Sequence, residues 1–220
     1  DEEVRFTSHL DVLRTFERAI RRSGIPIAYS EGFHPHPKIA FGPPLPLGFI
    51  SEAEYLDLQL AEPFSNEFLL KLNKTLPQGF KILEAKTIFT KAESLSSAIN
   101  AAFYKVELSI PETEIKEKIE YTLSQRNLMI SRVSKKELKV DKSVTTRREV
   151  DIRFEIFKLE NEGSTLSMLL SVGSSGHAKP QEVLRYGFGM KEKEVLGLSI
   201  KREGLFVKRQ DELFPPMEII

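Results

Sequence analysis

The stretch AEYLDLQLAEPFSNEFLLKLNKTLPQGFKILEAKTIF, residues 53–89, reads as strand, helix, strand, and the rest of the chain is read outward from it. Ala53–Leu60 alternates through Tyr55, Asp57, Leu58, Gln59 and Leu60, as a strand with one buried face does. Pro63 breaks it, and Ser65 then caps a helix running to about Leu76 with Phe68, Leu69 and Leu72 on its buried side. Pro77–Gly79 turns the chain, and Phe80–Phe89 supplies the next strand, with Ile82 and Ile88 inward.

Upstream, Val4–Thr7 reads as a short strand. Ser8 occupies an N-cap position with Asp11 three residues on, so a helix is expected from about His9 to Ser23. Leu10, Leu13, Phe16, Ala19 and Ile20 form its apolar stripe, Gly24 stops it and Pro26 prevents its resumption. Ile25–Tyr29 is a second strand. Ser30–Gly48 carries Gly or Pro at 32, 35, 37, 43, 44, 46 and 48, so it is a long shaped loop with room for a short strand at Lys38–Phe41.

Downstream, residues 90–101 read as a linker or a short helical turn, and the same order then recurs. Ala102–Ile110 is a strand. Pro111 with Ile115, Ile119 and Leu123 opens a helix to about Gln125. Leu128–Val133 is a strand and Lys135–Glu149 a basic loop. Val150–Glu160 and Thr165–Val172 form a hairpin across Asn161–Gly163. Lys179-Pro180 begins a helix to about Tyr186, and Val195–Val207 closes the chain as a strand or hairpin. The expected fold class is α+β, a tandem pair of ferredoxin-like βαββαβ units with antiparallel sheets, divided at 1–92 and 93–220.

Composition narrows the function classes. Hydrophobic residues at 40% and charged residues at 29% describe an ordinary folded chain and exclude global disorder. The 32 basic residues match the 32 acidic ones, so any affinity for nucleic acid or anionic membrane must come from a local patch. With no cysteine, the chain has no disulfides, thiolate nucleophiles, zinc fingers or iron–sulfur ligands of its own. The longest apolar runs, such as Phe41–Ile50, fall far short of the roughly 20 residues that span a bilayer, so a cytoplasmic location without membrane contact is expected. Asp1 stands first where Met would, which leaves a stand-alone chain and a domain of a longer protein as alternatives.

Candidate chemistry concentrates in Phe6–Gly48, which holds three of the four histidines. Arg14, Arg18, Arg21 and Arg22 recur on one face of the first helix, a row whose guanidinium forks suit phosphate oxygens; a solvated face is the alternative reading. In His34-Pro35-His36-Pro37 the prolines stiffen an extended backbone that displays both imidazoles. With His9 these offer general acid, base or metal chemistry, though H-x-H matches no strong zinc spacing, and no metal or other cofactor is expected. Phe33, Tyr29 and Phe41 flank the histidines as stacking candidates. Gly173-Ser174-Ser175-Gly176-His177-Ala178-Lys179 runs into a helix start, where backbone N–H groups can accept an anion; it lacks the phosphate-loop ending. Ser30–Gly48 is expected to be ordered and partly buried between the two halves, making one anion-accepting site with the first helix and the Gly173–Lys179 turn. No nucleophile triad, paired carboxylates or H-E-x-x-H stands in the chain.

Written out, S-H-L-D-x-x-R-x-x-x-R-A-x-R-R-x-G-I-P-x-A-Y-S-x-G-F-x-P-x-P-K-I, followed by S-E-A-E-Y-L-D, resembles the radical SAM-linked protein family, a bacterial domain of unknown function. The resemblance is strongest over residues 5–60, and Val150–Arg153 and the Gly-Ser turn extend it through most of the chain. It marks Ser8, His9, Asp11, Arg14, Arg18, Arg21, Arg22, Ser30, Gly32, Phe33, Pro35, Pro37 and Lys38 as a probable site without assigning roles. It implies a radical SAM enzyme as partner, separate or fused, and a link to RNA or ribosome modification. The tandem plan is also similar to that of the CRISPR repeat-cleaving endoribonucleases, a likeness of fold alone. The expected function is a non-catalytic RNA- or substrate-binding module for such an enzyme. The alternatives are an RNA-processing or phosphoryl-transfer enzyme using His9, His34 and His36, and an adaptor that binds protein only.

Overall fold

Ser8 does what an N-cap serine should: its hydroxyl accepts a 3.2 Å hydrogen bond from the Asp11 backbone N–H and donates to the Asp11 carboxylate at 2.6 Å. The helix it starts, α1, spans His9–Ser23 and ends at Gly24, whose φ of 66° is a left-handed conformation favouring glycine. These bounds match those read from the sequence. The structure is a computed structural model that describes residues 2–88, 93–133, 147–173 and 176–219.

Two compact units divide the chain. The first comprises Asp1–Ala101 and Lys201–Ile220, the second Ala102–Ile200. In the first, α1 is followed by β1 (Ile39–Phe41), β2 (Ile50–Ser51), β3 (Leu56–Leu58), α2 (Asn66–Thr75) and α3 (Leu95–Ala98). β1 and β3 pair antiparallel, Ile39 with Leu58 and Phe41 with Leu56. α1 lies against α2, with Ala19, Ile20, Ile25, Ile27 and Leu72 buried together and Ile39, Leu58, Leu60, Phe68 and Ile82 packed around them. Phe16 adds edge-on ring contacts to Phe41 at 5.6 Å and to Phe80 at 5.8 Å.

The end of the chain belongs to this first unit. β9 (Ile200–Arg209) pairs antiparallel with β10 (Glu212–Phe214) and parallel with β2, before α7 (Pro216–Ile219). Arg202 on β9 is 1% exposed. Its guanidinium grips the Glu54 carboxylate at 2.8 and 2.6 Å and donates to the carbonyls of Pro43 and Pro44 at 3.0 and 3.4 Å. This clamp gives the Pro-rich segment a fixed anchor.

The second unit runs β4 (Ala101–Glu107), α4 (Glu112–Ser124), β5 (Met129–Val133), β6 (Arg147–Asp151), β7 (Ile156–Glu162), β8 (Thr165–Ser171), α5 (Pro180–Glu182) and α6 (Glu192–Leu196). A wider π turn at Val183–Gly187 continues α5. β4, β8 and β7 are neighbours in one sheet, with Ile156 opposite Leu170 and Leu159 opposite Met168. α4 covers β7 with Ile115 and Ile119, and β5 and β6 form a separate antiparallel pair.

The α+β class is as expected, with antiparallel ladders and a parallel pairing of β2 with β9. Several elements differ. Glu2–Val4 is a 3-10 turn and Val4–Thr7 is no strand, because Arg5 and Thr7 N–H bond back to Glu2 and Val4 and the Arg5 carbonyl accepts from Gly48. Phe80–Ile88 carries no strand. Asn73 takes the place of a neighbouring strand there: its side-chain amide donates to the Ile82 carbonyl at 2.9 Å and accepts from the Ile82 N–H at 2.8 Å. Ile25–Tyr29 contributes isolated bridges, Ile27 to Leu60 and Tyr29 to Pro37, in place of a continuous strand. Leu10, placed in the apolar stripe of the first helix, is 62% exposed, since its position on the wheel falls beside Arg21 at the edge of the arginine face. The start of the predicted 135–149 loop lies outside the described residues, and Arg147–Glu149 belongs to β6.

A candidate nucleic-acid interface

Taking about 100° per residue, Arg14, Arg18, Arg21 and Arg22 fall within roughly 100° of the α1 circumference. The buried residues Phe16, Ala19 and Ile20 occupy the opposite side. The helix is thus held by its apolar face and presents its basic one. Arg14 makes a long 3.4 Å pair with Asp11, both side chains more than half exposed, so water and counter-ions compete for that charge. Arg22 donates to the Thr75 carbonyl at 2.9 Å, which ties it to the end of α2. Arg18 and Arg21 have no hydrogen-bonding or ion-pair partner among the described residues. Two unpaired guanidinium groups one turn apart, flanked by Arg14 and by the exposed Leu10 side chain, form a surface that suits phosphate oxygens.

The Pro/His segment is built as a hairpin on the same unit. Ser30 N–H donates to the His36 carbonyl at 2.8 Å, the His36 N–H donates to the Ser30 hydroxyl at 3.0 Å, and the Lys38 N–H donates to the Ala28 carbonyl at 2.8 Å. Residues 31–36 are exposed, Phe33 wholly so, while Pro37, Gly42 and Pro43 are buried. The segment is therefore fixed at its base and open at its tip, as prolines that lower unfolded-chain entropy allow.

The three histidines of this region do not form one centre. His9 is placed edge-on to Phe41, with ring centroids 5.8 Å apart, while His34 and His36 lie on the exposed arm of the hairpin. Among the described residues no three His, Cys, Asp or Glu side chains gather as a metal site would require.

The Gly-Ser turn lies in the second unit, and of its residues Ser174 and Ser175 fall outside the described ones. Around the remainder stand carboxylates. A Cβ added to Gly176 would overlap the Glu155 carboxylate, so that carboxylate approaches the backbone where only glycine leaves room. The Lys179 N–H donates to Glu182 at 2.9 Å, and Glu182 is held two-pronged by Arg132 at 2.8 and 2.7 Å. Arg132 also donates to the His177 carbonyl at 2.7 Å, and the Ser171 hydroxyl donates to the Gly176 carbonyl. Burial, reinforced by the Arg132 charge, holds the His177 imidazole below its ordinary range and so favours its neutral form. Among the described residues of the turn, the Lys179 N–H is thus taken by Glu182 and the Gly176 backbone lies against Glu155.

Residues the sequence reading did not select include Asp57 and Gln59. Burial raises the Asp57 carboxyl above the usual carboxylate range. The signal was present in the alternation of Ala53–Leu60, which sets Asp57 on the face away from Leu56, Leu58 and Leu60.

Among the described residues no helix is long and apolar enough to cross a membrane. No curated protein matches the sequence. The family model that matches carries no link to radical SAM enzymes. That model, described as "Uncharacterized protein conserved in bacteria (DUF2344)", covers residues 1–180, and the chain belongs to that family.

Proposed function

We propose that this chain is a non-catalytic RNA-binding module whose contact surface is the arginine face of α1. The observation that carries the reading is the unpaired state of Arg18 and Arg21 among the described residues, on a helix face that also holds Arg14 and Arg22. An exposed basic face on a chain of zero formal net charge is a local feature, of the kind that binds a phosphate backbone without making the whole protein sticky. The partner suggested by the sequence resemblance is a radical SAM enzyme, to which the module would present RNA. Ferredoxin-like units remain the finer fold proposal, supported in the second unit by the order β4, α4, β7, β8, α5 once the β5–β6 pair inserted after α4 is set aside.

The test is fluorescence anisotropy with a labelled single-stranded RNA 20-mer at low salt. Wild type is expected to bind, and Arg18→Ala with Arg21→Ala to bind at least tenfold more weakly. Both side chains are exposed, so the melting temperature should be unchanged. Equal affinity of the two proteins would make the arginine row a solvated face.

A further inference from the structure

The face of the β1–β3 pair turned away from the core is polar, with Lys38, Ala40 and Gln59 exposed and Asp57 half-buried. Ile39, Leu58 and Leu60 pack inward, so strand alternation sends Lys38, Ala40, Asp57 and Gln59 outward. The Gln59 N–H donates to the Lys38 carbonyl, and the Ala28 N–H donates to the Gln59 carbonyl, which places Ala28 beside them. Ile27 is buried, so Ala28 faces outward too. Two alanines make the floor of a shallow platform, and Lys38, Asp57 and Gln59 rise from it.

Ala40 stands opposite Asp57 in the register, which makes Lys38 and Asp57 diagonal neighbours, residues of about 7–8 Å separation whose long side chains can reach each other. Opposite charges at that spacing can meet, yet among the described residues neither side chain has a hydrogen bond or ion pair. A cation and a hydrogen-bond acceptor are therefore both available on one surface. The hairpin that carries Lys38 also carries His36 and ends in Phe33, an aromatic ring with no protein cover, on a base pinned by three hydrogen bonds.

We propose that this platform holds one unpaired nucleotide of a single-stranded RNA: Lys38 and His36 take the phosphate, Asp57 and Gln59 meet the N–H donors and acceptors of the base edge, and Phe33 stacks on an adjacent base. The proposal rests on the RNA-binding reading and narrows it to unpaired strands. A duplex keeps its base edges and faces inside, whereas a single strand offers both to an aromatic ring and to side-chain amides and carboxylates. Asp57 fits the role energetically, because burial has raised its carboxyl without supplying a partner, and a base N–H would supply one.

The sign of that burial gives a readout that a structural role would not share. A carboxyl whose folded pKa is raised costs stability once ionised, so the folded state loses stability as pH rises from the ordinary value, 3.8, through the raised one. Asp57→Asn removes that cost, and at neutral pH its melting temperature should equal or exceed that of wild type.

The experiment titrates wild type, Phe33→Ala and Asp57→Asn with one labelled RNA 12-mer, single-stranded and annealed to its complement, by anisotropy. Wild type should favour the single strand by about tenfold or more. Phe33→Ala should lose about tenfold for the single strand, the effect of one lost stacking partner, and Asp57→Asn several-fold without thermal destabilisation. Both variants should bind the duplex as wild type does. Equal affinity of wild type for the two forms, or variants that bind the single strand like wild type, would overturn the platform while leaving the arginine face standing. Failure of wild type to bind either form would overturn both.

Discussion

Replacing Arg202 with alanine is expected to cost about 3–5 kcal/mol of stability, read as a lower denaturation midpoint in urea. The guanidinium is almost wholly buried and has four described bonds, two to Glu54 and one each to the Pro43 and Pro44 carbonyls. Its removal leaves those carbonyls without that donor and opens a space in the strand β9 surroundings. Glu54 is different: its side chain is 42% exposed and water can replace part of what it loses. Glu54→Gln, which keeps an acceptor, should therefore cost distinctly less than Arg202→Ala. Equal and small losses for the two would mean that the clamp contributes little to the first unit.

Phe16→Ala is expected to be comparably damaging, at about 3–5 kcal/mol by thermal or chemical unfolding. The ring is 7% exposed and wedged between Phe41 and Phe80, so alanine leaves a cavity at the point where α1 meets β1. The effect reaches the candidate interface through geometry. α1 holds its arginines outward only because Phe16, Ala19 and Ile20 hold it inward. A variant that stays folded should show faster amide exchange along α1, and a loss below about 1 kcal/mol would contradict this account of the helix.

Local signals carried much of the fold. Ser8 and Gly24 bracket α1 because capping geometry depends on neighbouring residues alone. α2 and α4 likewise fall within a residue of Ser65–Leu76 and Pro111–Gln125. Strands were less legible, since a strand is completed by distant partners. Phe80–Ile88 alternates well enough, but the Asn73 amide answers Ile82 where a ladder was expected. β2 is two residues long and depends on β9, some 150 positions away in the chain, which no local pattern announces. The return of Lys201–Ile220 to the first unit is hidden for the same reason.

The candidate site divides along similar lines. Helical spacing alone gathers the arginines, because 3.6 residues per turn is a property of the backbone. It did not reveal that Arg22 is tied to Thr75 while Arg18 and Arg21 have no described partner. Nor did the glycines at 173 and 176 reveal Glu155, which comes from earlier in the chain and lies against Gly176; Glu182 is local, three residues beyond the Lys179 whose N–H it accepts. Asp57 was visible in the strand pattern, but its burial without a partner is a tertiary fact.

The central claim, that the arginine face of α1 holds an RNA backbone, is tested most directly by the salt dependence of binding. Affinity for one single-stranded RNA would be measured across a series of salt concentrations for wild type and for Arg14→Ala combined with Arg18→Ala and Arg21→Ala. Each phosphate contact contributes about 0.7 to the slope of log affinity against log salt. The account predicts a slope shallower by about 2 in the triple variant, with its fold intact. A triple variant with the wild-type slope, or a wild type that does not bind, would contradict it.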